Sequence, residues 1–167
     1  MLRSEELELL RRLLTGQRML SLGVLVEERP YVGLLPFVTR PDFAALVIHA
    51  SDLALHSKGL MPDAPFGALI HATDRPDTDP LQLPRLSLQG VVRRIPRDEL
   101  EWTAARDLYL DKYPSSRSIF QLGDFHLYEL AIESGRLIAG FGSIHTLNRR
   151  TLAEAATGTG SAGPSSD

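Results

Sequence analysis

The chain has 167 residues, enough for one domain with a sizeable core, and its 43% hydrophobic and 23% charged residues are ordinary for a globular protein. A formal net charge of −3 and a pI near 5.9 give no global positive field to hold a nucleic-acid backbone. With no cysteine, disulfides, thiolate nucleophiles, thiolate zinc sites and iron–sulfur ligation are all excluded, so redox chemistry requires a bound cofactor.

Leucines at helical spacing predict an amphipathic helix over residues 4–15, with Ser4 as N-cap and Gly16 as the stop. "RMLSLGVLVEERPYVGLLPFV" reads as a hairpin of two strands with "EERP" as its turn. A third strand is expected over residues 43–50, then a loop and short helix capped by Ser51, then a fourth strand through "FGALIHAT". The three prolines of "DRPDTDPLQLP" make that stretch a loop. "RLSLQGVVRRI" is the fifth strand, in which Gly90 marks a bulge or a close backbone approach. A helix follows to about residue 113, with Leu100, Ala104 and Leu108 on its expected buried face. "DFHLYELAIESGRLIAGFG" reads as two short strands around an "ESGR" turn. From residue 156 the chain is small and polar, which predicts one folded domain over 1–155 and a disordered tail over 156–167.

Several short strands with two inserted helices argue against a doubly wound parallel sheet and for a small, mostly antiparallel barrel carrying helices, although periodicity alone leaves sandwich and barrel tied. No leader pattern opens the chain and no apolar run nears the roughly 20 residues that span a bilayer. The cytoplasm is therefore the expected location, with no membrane and no nucleic acid among its partners.

One segment gathers candidate ligands. Ser51, His56, Ser57 and Lys58 follow a buried-looking strand, and hydroxyls, imidazole and ammonium beside helix N–H groups suit a phosphate monoester. The same residues also read as a capped helix with solvated neighbours. Arg85, Ser87 and Gln89 share one strand face and could line a cofactor pocket or face solvent. Gly140 and Gly142 flank Phe141. The five histidines show no metal-ligand spacing, although His145 is a candidate axial haem ligand, and no GxSxG elbow is present. The acidic pairs sit at helix starts and turns and carry no catalytic assignment.

"SDLALHSKGLMPDAPFGALI" resembles the corresponding segment of the FMN-binding split-barrel proteins related to pyridoxamine 5′-phosphate oxidase, nearest to their haem-utilisation (HugZ-like) branch. In that branch the pattern is S-x-L-A-x-H-x-x-N-L; Ser51, Leu53, Ala54, His56 and Leu60 match, and Gly59 stands in place of the asparagine. "YVGLLPF", "DPLQLPRLSLQGVV" and "DFHLYELAIESGRLIAGFG" follow in the family order. The resemblance implies a homodimer of six-stranded antiparallel split β-barrels with FMN at the subunit interface, acting on a small-molecule redox substrate. It places Ser51, Ser57 and Lys58 on the FMN phosphate with His56 beside them, and the backbone of Leu35, Pro36 and Phe37 along the isoalloxazine edge. Arg85 would reach the phosphate or ring, and Phe141 would pack on the flavin from the partner copy. The chain lacks the extra α/β module of long haem-utilisation homologues and the arginine-rich C-terminal signature of a true pyridoxamine phosphate oxidase, so vitamin B6 oxidation is not expected. Three readings stay open: an FMN-dependent oxidoreductase, a haem-binding or haem-degrading protein using the same cleft, and a flavin-free dimerisation module.

Overall fold

The computed structural model describes residues 2–158. Its elements are α1 (Ser4–Gly16), β1 (Met19–Val26), β2 (Arg29–Pro36), β3 (Val38–Thr39), β4 (Ala45–Ser51), β5 (Pro65–His71), β6 (Arg85–Ile95), α2 (Leu100–Lys112), β7 (Phe125–Gly140), β8 (Ser143–Leu147) and α3 (Arg149–Thr157). Short 3-10 helices lie at Leu55–Gly59, Pro80–Gln82 and Pro114–Gln121.

The strands form one antiparallel sheet in the order β2-β1-β5-β6-β7-β4-β3, with β8 paired to β7. The two ends of that order, β2 and β3, are separated in the chain by Phe37 alone. A sheet whose edge strands are one residue apart in sequence has to curl until its edges meet, which makes the fold a curled barrel and not an open sheet. Phe37 is fully buried at this junction. The Tyr113 hydroxyl holds it there, 2.7 Å from the Phe37 carbonyl and 2.5 Å from that of Arg18. Lys112 Nζ donates to the Gln17 carbonyl at 2.6 Å and sits 4.4 Å from the centre of the Phe37 ring.

Alternating strands supply the interior. Leu20, Leu22, Leu46, Ile48, Ile70, Leu86, Leu88, Leu130 and Leu137 point inward, and Leu10, Leu13 and Leu14 of α1 join the same core. A second, smaller core lies between α2 and the outer side of β4, built on Val38, Val47, Ala105, Tyr109, Phe120 and Leu127. Strand β4 is therefore buried on both faces, which is why its sequence is a continuous apolar run instead of an alternation.

The β1–β2 hairpin forms as expected, on a tighter turn. Glu27 and Glu28 alone make it, with φ of 51° and 62°, the left-handed geometry that lets a two-residue turn match the twist of its strands. Gly90 does mark a bulge: the β6–β7 register shifts beside it, and a Cβ there would lie 1.8 Å from the Ala131 carbonyl oxygen.

Four expectations need correction. "ESGR" is no turn; β7 runs through it as one strand of 16 residues, and the chain reverses at Phe141–Gly142. Gly135 is there because a side chain would strike Leu88 and the Ser87 carbonyl, at 2.8 and 3.1 Å from its Cβ. The buried face of α2 is Ala105 and Tyr109, while Leu100 is 95% exposed, because the aromatic cluster of the second core captures the tyrosine. Helix α3 was not expected; the Asn148 side chain caps it by accepting from the Thr151 amide, and it carries ordered structure past residue 155. The sheet has eight strands rather than six. Residues 159–167 of the expected tail lie outside the described residues. Among the described residues no helix is long and apolar enough to cross a membrane.

Candidate functional site

The outward face of the sheet carries a broad concave surface. Cross-strand neighbours Leu34, Ser21, Leu69, Ser87, Arg136 and Thr146 form one row across β2, β1, β5, β6, β7 and β8. The next row is Val32, Gly23, Gly67, Gln89 and Ser134. All of these but Leu34 line a groove of about 670 Å³. Gly23 and Gly67 face one another across β1 and β5, and their backbone is bare. A Cβ on Gly67 would meet nothing within 4 Å, and one on Gly23 only the Gly67 carbonyl at 3.4 Å. Among the described residues no packing requires these glycines, unlike Gly90 and Gly135. The groove thus has a flat floor, apolar margins at Val32 and Leu69, and a polar margin at Ser87, Gln89, Ser134 and Arg136. A planar aromatic ligand with polar edges, or the sheet of another molecule, is what such a surface accommodates.

Sequence reasoning located Ser87 and Gln89 on this face. It missed Arg136, which it put in a turn, and the paired glycines, whose only signal is the side chain they lack.

The segment after β4 crosses the end of the barrel. Its 3-10 helix packs on β1 through Gly59, where a Cβ would come within 2.7 Å of the Leu25 carbonyl and 2.8 Å of Val24. His56 lies beneath Gly33 of β2; its Nδ1 is 3.2 Å from where a Cβ would stand, and its buried Nε2 has no hydrogen-bond partner. Desolvation pushes the His56 imidazole toward its neutral form. Lys58 is exposed.

Ser51 and Ser57 are brought together, but their hydroxyl protons are spent inside the fold. Ser51 Oγ donates to Asp124 Oδ2 at 2.6 Å and accepts from the Leu53 amide at 3.1 Å, while Ser57 Oγ donates to the Ser51 carbonyl at 2.6 Å. Nor does Ser51 cap a helix: it ends β4, and Ala54 precedes the 3-10 turn without a side-chain cap. Lys58 is the one cation in the segment positioned to meet an anion.

Arg85 stands elsewhere. It pairs with His71 at one end of β6, whereas the segment carrying Lys58 packs at the Leu25 end of β1, alongside Val91. Six residues of strand, roughly 20 Å, separate those levels, so the two cations of one chain do not share a phosphate. Leu35 and Phe37 are buried, and the Phe37 carbonyl is engaged by Tyr113, which leaves little free backbone at this edge. Phe141 is 82% exposed at the tip of the β7–β8 hairpin.

His145 is committed. Its Nε2 lies 2.9 Å from Ser143 Oγ and 3.1 Å from Glu6 Oε1, so both contacts use one nitrogen and the group does not form a catalytic triad. Glu6, 4% exposed, also accepts from the Arg3 guanidinium and backbone amide, and these bonds hold its carboxyl down at about 2. A haem-ligand role would require His145 to leave this buried carboxylate. No group of three or more potential metal-binding side chains converges among the described residues.

No protein-family model matches the chain, and no curated protein matches it in sequence. Its fold does match solved structures. A haem-binding protein from Mycobacterium smegmatis is 25% identical with a TM-score of 0.78; the match covers 92% of this chain and 62% of that one. HutZ, the haem storage protein from Vibrio cholerae, is 21% identical with a TM-score of 0.67, covering 80% and 92%. An FAD- and haem-binding protein from Mycobacterium smegmatis is 19% identical with a TM-score of 0.63, covering 91% and 78%. The chain thus spans less than two thirds of the first of these relatives. The curled antiparallel barrel and these neighbours give the chain the split-barrel fold, consistent with the split-barrel proteins related to pyridoxamine 5′-phosphate oxidase of the HugZ type that its segments resemble.

Proposed function

We propose that the protein is a cytoplasmic FMN-binding flavoprotein that holds its flavin on the outer groove, between two copies of the chain, and exchanges electrons with a small-molecule substrate. The observation that carries this reading is the bare Gly23–Gly67 pair. A glycine inside a strand costs roughly 0.5–1 kcal/mol relative to alanine, and among the described residues no side chain occupies the space these two leave open. A planar ring laid on them would bring its polar edge to Gln89, Ser87 and Arg136. Exposed Val32, Leu34 and Leu69 beside the floor favour coverage by a second copy. Lys58 is the residue suited to the phosphate. Bound flavin would supply the hydride or electron chemistry, and the chain its position and electrostatic surroundings.

The test is titration of ligand-free protein with FMN, alongside Gly67→Val. Valine suits a half-buried strand position with open space beside it, so the variant should fold at least as well as the wild type and lose FMN affinity by more than about tenfold. Unchanged FMN affinity in the variant would refute the groove, and a monomer that binds FMN tightly in light scattering would refute the shared site.

Haem in the same groove is the second reading, favoured by the haem-binding protein at 25% identity. It predicts a Soret band on haemin titration that Gly67→Val abolishes; loss of that band in His145→Ala would additionally make His145 the ligand.

A further inference from the structure

His126 opens β7 with 14% of its side chain exposed, between Asp52 at the start of the crossing segment and Arg94 of β6. Its Nε2 lies 2.8 Å from Asp52 Oδ2, and Arg94 Nη2 lies 2.7 Å from its Nδ1. A guanidinium only donates, so Nδ1 accepts, and the single ring proton sits on Nε2, donated to Asp52. The imidazole therefore ties the crossing segment to β6 and β7 together. Neighbouring bonds continue the tie: the Asp52 amide donates to the Asp124 carbonyl at 2.8 Å, Ser51 Oγ to the Asp124 carboxylate, and Ser57 Oγ to the Ser51 carbonyl. Lys58 follows directly, and Gly59 is then pinned against β1. So Lys58 is carried between two anchors, and one of them ends at His126.

We propose that His126 is a positioning residue for Lys58: with Asp52 and Arg94 it fixes the segment that presents the ammonium to the anionic group of the bound cofactor. This rests on the reading of Lys58 as the phosphate contact. His126 itself touches no cofactor.

The experiment combines FMN titration with amide exchange in the ligand-free full chain. Lys58→Ala should weaken FMN binding about tenfold, and His126→Phe, which keeps the ring but loses both bonds, about fivefold. In the His126→Phe background, Lys58→Ala should cost less than about threefold, because the ammonium is already displaced. His126→Gln, whose amide can accept from Arg94 and donate to Asp52, should restore affinity to within about twofold. Asp52→Ala, at a more exposed residue, should reproduce the His126→Phe effect and serves if that variant fails to fold. In ligand-free protein the protection of the Ala54, Ser57 and Leu60 amides, all bonded within the segment, should fall about tenfold in His126→Phe or Asp52→Ala and hold in His126→Gln. Additive losses from Lys58→Ala and His126→Phe, or unchanged protection in His126→Phe, would overturn the proposal. Failure of the wild type to bind FMN would instead remove the phosphate reading beneath it, and the exchange data would still decide whether the tie exists.

Discussion

His49 offers the sharpest test of the second core. The ring projects from β4 into the aromatic cluster, stacked on Phe120 at 4.0 Å and 11°, with Phe125 at 5.1 Å and Tyr109 edge-on at 5.8 Å. It is 8% exposed, and burial, with a smaller contribution from the charge of Arg97, pushes its pKa down to about 4. The unfolded chain takes up this proton near its ordinary value of about 6.5, whereas the folded chain refuses it until about pH 4. Acid therefore favours the unfolded state: stability is full above about pH 6.5 and falls as pH drops through the window to about 4. At about 1.4 kcal/mol per unit, the loss is about 3 kcal/mol. His49→Phe keeps the stack and removes the titration. Urea unfolding at fixed protein concentration, at about pH 7 and about pH 4, should show the wild type losing about 3 kcal/mol more than the variant across the interval. Carboxylates titrate in both proteins and cancel in the difference. Equal losses would show that His49 is protonated in the folded state, and the account of a dry aromatic box would fail.

Glu6 gives the complementary case. Its carboxyl is held at about 2, so the stability it contributes is present above about pH 4.5 and is lost as pH falls toward 2; Glu6→Gln should lower the Tm at neutral pH and converge with the wild type near pH 2. The two classes of strand glycine should separate cleanly in thermal melts. Gly90→Ala, whose Cβ would strike the Ala131 carbonyl at 1.8 Å, should cost more than about 3 kcal/mol or prevent folding, while Gly67→Ala should shift stability by less than about 1 kcal/mol. Tyr113→Phe removes the hydroxyl that binds the Arg18 and Phe37 carbonyls and should cost about 1–3 kcal/mol by urea unfolding; a neutral result would mean that those carbonyls find other partners.

Most strands were legible because their alternation is strict. Leu20, Leu22 and Val24, or Leu86 and Leu88, declare an inner face whatever the sheet around them. Where reading failed, a local signal had two physical causes. Gly135 looks like turn chemistry, yet it is small because Leu88 and the Ser87 carbonyl lie against it, a fact of pairing that no window of sequence contains. Leu100 and Leu108 sit at helical spacing, but the face of α2 is chosen by Phe120 in the turn that follows it and by His49, far away in the chain on β4. The segment from Ser51 to Lys58 could be found because its residues are contiguous. Its hydrogen-bond bookkeeping could not, since Asp124 and His126 reach it from β7 and its approach. The groove was hidden for a deeper reason: rows gathered one residue per strand, with glycine at the centre, leave no motif along the chain.

The single residue between β2 and β3 restricts how anything can enter this molecule. Because Phe37 welds the two margins of the sheet together, the wall cannot hinge open like a clam and reclose; parting it means pulling Pro36 from Val38 or unravelling whole strands. The interior behind that wall is filled with leucine and isoleucine. On the proposed reading, ligand exchange would be confined to the outer surface, and if a second copy covers that surface, the rate at which cofactor comes and goes would be governed by how the copies part rather than by any breathing of the barrel.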